Sequence, residues 1–264
     1  MGKKMRHAPV YFTIVQVRFN PIMALDDYAP KIQDRMRRSG FPDLQKGMLA
    51  TFNLNIAAGE AGPPQVPVAQ TARYTFSNMA KTAGFILDQG SLSFQTTDYD
   101  VFGTFSETFI AGLKIVHDVV GLDYVDRIGV RYLDAVYTQN DESITKYLNE
   151  SVLGLHGKIG GNIGHSFSET LIRFENVNVT ARTIIQDGQI GFPPDLHPTA
   201  MWLVVSDRFR TLSGLHAILD TDGSYEARTA FDLGDVAARL KIVHSSVTTS
   251  FKATVTQHAI DSWE

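Results

Sequence analysis

Apolar and polar residues alternate along some stretches of the chain and recur at helical spacing along others. The changes between these two periods mark out its elements. From Val10 to Phe19 the alternation places Tyr11, Thr13, Val15, Val17 and Phe19 on one side of a strand, with Gln16 and Arg18 on the other. Leu25, Tyr28, Ile32 and Met36 then repeat every three or four residues, which predicts a helix with one apolar stripe. Asp26 and Asp27 suit its first turn, where free amides favour negative charge, and Gly40 and Pro42 stop it. Residues 49–56 are predicted as a strand. Residues 57–70 gather Gly59, Gly62, Pro63, Pro64 and Pro67 without periodicity, which predicts a flexible loop or lid.

Short strands are expected at 73–77, 84–88 and 91–97, with Asp88-Gln89-Gly90 as a hairpin turn. Phe102, Phe105, Phe109, Leu113, Val116 and Val120 form the stripe of a second helix, stopped by Gly121, and a strand follows at 125–137. The later chain predicts a helix at 144–155 and a glycine-rich connection at 157–164. Strands follow at 167–174, 177–186, 201–205 and 215–220, and a last helix carries Val236, Leu240, Val243, Val247 and Phe251. Each helix must bury its stripe, so the expected fold is α+β: antiparallel strands with the helices packed on one face. The strand–helix–strands–helix order recurs. This suggests an N-terminal lobe, 1–140, and a C-terminal lobe, 141–264, or one continuous domain.

Composition narrows the class. The chain has 264 residues, 44% apolar and 20% charged, which is globular rather than disordered. With no cysteine, disulfide scaffolds, thiolate nucleophiles and Cys-ligated metals are excluded. The balance of 24 basic to 28 acidic side chains argues against a dedicated duplex binder, although nucleic acid is not ruled out. Lys31, Arg35, Arg37 and Arg38 read as the solvated side of the first helix. The N-terminal Lys3, Lys4 and Arg6 precede an alternating segment and not a uniformly apolar one, and no run approaches the roughly 20 apolar residues of a membrane span. A cytoplasmic protein without a membrane partner is expected.

Candidate chemistry is sparse. Gly157, Gly160, Gly161 and Gly164 lack the lysine and the spacing of a phosphate loop and precede a strand, so they predict a connector. Asp220-Thr221-Asp222-Gly223 opens like a calcium loop, but Tyr225 and Phe231 occupy the positions that need Gly and Glu; a hairpin turn is expected instead. His216, Asp220 and Asp222 are the residues that would hold a divalent ion if the chain processed nucleotides or nucleic acid, with arginines on the phosphate. His117 and His244 border apolar stripes and are expected to pack. No motif calls for a cofactor, and no catalytic residue or metal ligand set is assigned. The most informative stretch is Arg127-Ile128-Gly129-Val130-Arg131-Tyr132. In a strand, Arg127, Gly129 and Arg131 share one face, and two guanidiniums flanking a bare glycine suit an anion or a carbonyl. They suit equally well a structural pairing with acids such as Asp126, Asp134 or a carboxylate on a neighbouring strand. Arg127, Arg131 and the adjoining Tyr132 are the candidate binding residues.

These segments also carry a resemblance. Phe41-Pro42, Ser93-Phe94-Gln95-Thr96-Thr97-Asp98-Tyr99, Arg127 to Tyr132, Leu219-Asp220-Thr221-Asp222 and His244 to Phe251 together resemble a sporadically distributed, uncharacterised prokaryotic family of about this length, across nearly the whole chain. The chain departs from that pattern at Thr13, where a Glu is frequent, at Asp134, where an Asn is frequent, and at Val101 and Phe102, near a frequent Trp. The resemblance implies fold and length and brings no activity; its patchy distribution is reminiscent of defence or mobile-element genes. The expected function is a non-enzymatic binding or assembly protein with a protein partner or a second copy of itself. The rival expectations are the metal-dependent enzyme above and a carrier of a small apolar molecule held between sheet and helices.

Overall fold

The structure is a computed structural model that describes residues 5–52, 68–139, 142–159, 161–196, 200 and 202–264. Its centre is one nine-stranded antiparallel sheet. The strands are β1 (Val10–Phe19), β2 (Asp43–Phe52), β3 (Val68–Ser77), β4 (Ala83–Asp88), β5 (Ser91–Thr96), β6 (Tyr124–Tyr137), β7 (Ser166–Arg173), β8 (Val177–Gln186) and β9 (His216–Ala230). They lie in the order β2-β3-β4-β5-β1-β6-β9-β8-β7. In both halves the last strand of a meander pairs with the half's first strand, β5 with β1 and β9 with β6, and leads into a long helix. β6 pairs with β1 on one side and with β9 on the other, and the β6–β9 pairing carries the sheet unbroken across the predicted lobe boundary. Residues 140 and 141, at that boundary, lie outside the described residues, as do 53–67, which include most of the predicted loop or lid.

The helices α1 (Leu25–Arg38), α2 (Phe102–Val120) and α5 (Leu233–Thr254) cover one face of the sheet, as their stripes require. Leu25, Ile32 and Met36 of α1, Phe109 and Leu113 of α2, and Leu240 and Val243 of α5 join Val15, Val17, Ile128 and Val130 in the largest apolar cluster. Complete burial of a side chain of this size is worth roughly 1.5–3 kcal/mol, so this contact dominates the stability of the fold. α5 starts where the Asp232 carboxylate accepts the Asp235 amide at 2.7 Å.

The second face is covered only in part. The segment 187–215, with the short helix α4 (Asp207–Arg210), lays Leu196, Ala200, Leu203 and Phe209 on Phe12, Leu133, Ala135 and Ile218. Tyr11 joins this cluster and not the helix side. An irregularity in the β1–β6 register between Val10 and Phe12 rotates it away from Val15 and Val17, and its hydroxyl donates to the Gly191 carbonyl at 2.7 Å.

Three sequence expectations are corrected. Residues 144–155 form two 3₁₀ turns, Ile144–Lys146 and Glu150–Val152, before the short helix α3 (His156–Ile159). Tertiary hydrogen bonds take the backbone that a helix would use. Leu148 bridges to Val255, the Asn149 amide donates to the Thr254 carbonyl, and the Asn149 side chain donates to the carbonyls of Ala253 and Val255. The described part of 201–205 is irregular, because it belongs to the covering segment and not to the sheet. Asp220 to Gly223 is no turn but the interior of β9. Gly223 is required there by α5: a Cβ would lie 2.5 Å from Val247 Cγ2 and 2.8 Å from Val243 Cγ1.

Candidate functional site

β6 runs down the middle of the sheet and shows a different chemistry on each side. Arg127, Gly129 and Arg131 share the face away from the long helices, and Ile128, Val130, Tyr132 and Asp134 face α2 and α5. The sequence-predicted residues are therefore divided: the arginines lie on one side and Tyr132 on the other.

Arg131 is held by two carboxylates. Its Nε and Nη2 donate to Asp220 Oδ1 and Oδ2 at 2.6 and 2.7 Å, and its Nη1 donates to Asp195 Oδ2. Asp220 also accepts from Arg182 Nη1 at 3.3 Å, and Arg182 Nε donates to Glu169. The chain Asp195–Arg131–Asp220–Arg182–Glu169 thus ties the covering segment to β6, β9, β8 and β7. Only 9% of the Arg131 side chain and 1% of the Asp220 side chain remain exposed. Burial of Arg131 opposes its charge, and the bonds from Asp220 and Asp195 outweigh that effect, so its pKa lies above the ordinary arginine value.

Arg127 is different. Its nearest acid is Glu226, at 3.6 Å, and its guanidinium lies over Gly129, where an added Cβ would stand 2.8 Å from Nη1. Directly opposite across β1 stands Arg18, which is exposed and forms no hydrogen bond or ion pair among the described residues. Sequence reasoning missed Arg18 as a member of this site. The signal was present, since the alternation had placed it opposite the core side of β1, but the cross-strand register that pairs it with Arg127 is a tertiary fact. Next to them Asp222, level with Arg131 and Thr180, also has no hydrogen bond or ion pair among the described residues; burial raises its pKa. Gln16 and Ser93, hydrogen-bonded at 3.0 Å, complete the floor on the β5 side. Like charges facing each other across a strand pair repel, so Arg18 and Arg127 disfavour one another.

On the helix side, the Tyr132 hydroxyl lies 3.0 Å from His244 Nδ1 and 3.5 Å from the Tyr99 hydroxyl. The His244 ring stacks on Phe102 at 3.8 Å, and burial lowers its pKa to about 4. Burial raises Tyr99 to about 12 and Asp134 to about 7. Asp134 forms no hydrogen bond or ion pair among the described residues. His117 accepts the Leu122 amide at 3.0 Å and stacks on Phe231.

The proposed magnesium ligands do not converge. His216 is fully buried, with Nδ1 2.8 Å from the Gly214 carbonyl and its ring stacked on Tyr137, and Asp220 belongs to the arginine network. Among the described residues no three His, Asp or Glu side chains form a metal-binding group. Two clefts, of about 290 Å³ beside Phe41, Tyr99 and Phe105 and about 330 Å³ beside Tyr11, Phe192 and Leu203, lie away from the arginine pair. No described helix is long and apolar enough to cross a membrane. No protein-family model, curated protein or solved structure matches the chain.

Proposed function

We propose that the protein is a binding or assembly module that takes an acidic side chain of a protein partner between Arg18 and Arg127, on the uncovered part of the sheet. The observation that carries this reading is the direct cross-strand pairing of two arginines, of which Arg127 has only a long ion pair to Glu226 at 3.6 Å and Arg18 has none among the described residues. An incoming carboxylate relieves their repulsion and gains a bidentate guanidinium contact. Asp222 and Glu226 flank the pair and offer acceptors to the peptide donors of a partner. That mixture, with the net charge of −4, favours a polypeptide over nucleic acid. Association with a defence or mobile-element system belongs to the same proposal and rests on the family resemblance; cytoplasmic location is proposed with it from the cysteine-free composition.

Titration with a glutamate-rich peptide, followed by NMR of the arginine side-chain Nε–H groups, tests it. The signals of Arg18 and Arg127 are expected to shift, and the Arg18→Ala, Arg127→Ala double variant to lose the response while keeping its fold. Equal peptide affinity for the folded double variant would overturn the reading; a tighter response to single-stranded DNA would replace the partner class.

A further inference from the structure

The other exposed feature of the sheet is its edge. β7 is the last strand in the order and, among the described residues, pairs only with β8. Natural edges are normally blunted by lysines, prolines, bulges or a covering element. Among the described residues β7 has no lysine, proline, bulge or covering element, and its charges are Glu169 and Arg173: Phe167, Leu171 and Ile172 are exposed along it, with Phe174 just beyond, and Leu155 and Ile159 are exposed on the segment that leads into it.

The backbone of this edge is free in a definite pattern. The Phe174 amide donates to the Val177 carbonyl at 2.8 Å, so the even-numbered residues of β7 turn their backbone groups toward β8. By alternation the amides and carbonyls of Phe167, Glu169, Leu171 and Arg173 point outward, with no backbone partner among the described residues. The side chains of the same four residues lie on the face that carries Arg182, as the Arg182–Glu169 ion pair shows.

We propose that β7 is the strand through which two copies of this chain join, antiparallel about a two-fold axis at Leu171, into one sheet continuous across both. The sequence of β7 is self-complementary in that register. Leu171 faces Leu171 of the second copy, Thr170 faces Ile172, and Glu169 faces Arg173, twice by symmetry. Arg173 forms no hydrogen bond or ion pair among the described residues, so the pairing supplies its counter-charge. Sliding the strands by two positions loses this match. One direction sets Glu169 against Leu171 and the other sets it against Glu175. The occupant is therefore a second copy, selected by charge as well as by the open ladder. This inference is independent of the arginine pair, because β9 and β8 separate β6 from β7.

The chain has no cysteine, which makes the test clean. Opposed residues that exchange both hydrogen bonds have Cα atoms about 5.5 Å apart, within disulfide reach. Leu171→Cys is therefore expected to cross-link into a covalent dimer under mild oxidation, and Thr170→Cys, which has no copy of itself opposite, is not. Sedimentation over a concentration series is expected to show a monomer–dimer equilibrium for the unmodified protein. Arg173→Glu should weaken it roughly tenfold, and Glu169→Arg combined with Arg173→Glu should recover most of the loss. A protein that stays monomeric at all concentrations overturns the proposal. So does a dimer insensitive to Arg173→Glu, or one that cross-links through Thr170→Cys as readily as through Leu171→Cys.

Discussion

Arg127 and Arg131 lie on the same face of the same strand with one glycine position between them, yet they do different work. Arg131 sits where the 187–215 segment closes over the sheet, so Asp195 reaches it from above and Asp220 from the side. Arg127 lies beyond that cover and meets Arg18, with Glu226 at 3.6 Å as its one ion-pair partner among the described residues. The difference teaches that an arginine's role follows from what its neighbouring strand and covering loop supply. Enclosed with carboxylates it is a structural tie. With a like charge opposite and one long ion pair, to Glu226, it is held far less tightly.

The comparison is broken most severely at Asp220. Asp220→Ala leaves the buried Arg131 with Asp195 alone and Arg182 with Glu169 alone, and removing one member of a buried ion pair costs about 3–5 kcal/mol. Chemical denaturation is expected to show a loss of that size. An unaffected midpoint would mean that Arg131 is not tied to the sheet through this carboxylate.

A second effect comes from the helix side of the same strand. Asp134 titrates at about 7 in the fold against 3.8 in the unfolded chain, because burial disfavours its charge. Between those values the folded state holds more protons, so Asp134 contributes stability that is complete below about pH 4 and lost as pH rises through 7. His244 runs the other way: lowered to about 4, it costs stability as pH falls below about 6.5. Asp134→Asn is therefore expected to flatten the decline toward neutral pH and to gain of order a few kcal/mol at pH 8. Melting temperatures across pH 4–8 measure both changes. An unaltered profile would show that the Asp134 carboxylate does not control it.

The smallest expected effect sharpens the contrast. Arg127→Ala removes a half-exposed guanidinium held by one long ion pair, so stability should change by no more than about 0.5 kcal/mol in either direction. A large loss on denaturation would place Arg127 among the structural ties beside Arg131.

Much of the fold was legible in the chain. The strands at 10–19 and 177–186 and the helix stripes from Leu25 to Met36 and from Phe105 to Val116 follow from side-chain period, because burial against one face selects positions in that period. The readings at 144–155 and at Asp220-Thr221-Asp222-Gly223 were overruled. Asn149 finds better hydrogen-bond partners at the end of α5 than in its own helix. Gly223 is a glycine because a helix crosses its strand, which local turn chemistry cannot reveal.

The candidate site divides in the same way. By itself the sequence determined that Arg127 and Arg131 share a face and that Tyr132 does not, since alternation along a strand is a local property of the backbone. Only the tertiary structure decided that Arg131 would meet Asp220 and Asp195, that Arg127 would meet Arg18, and that the Asp134 carboxylate would be buried with no partner among the described residues. Register between distant strands and the placement of a covering loop depend on which surfaces remain to be buried once the whole sheet has formed.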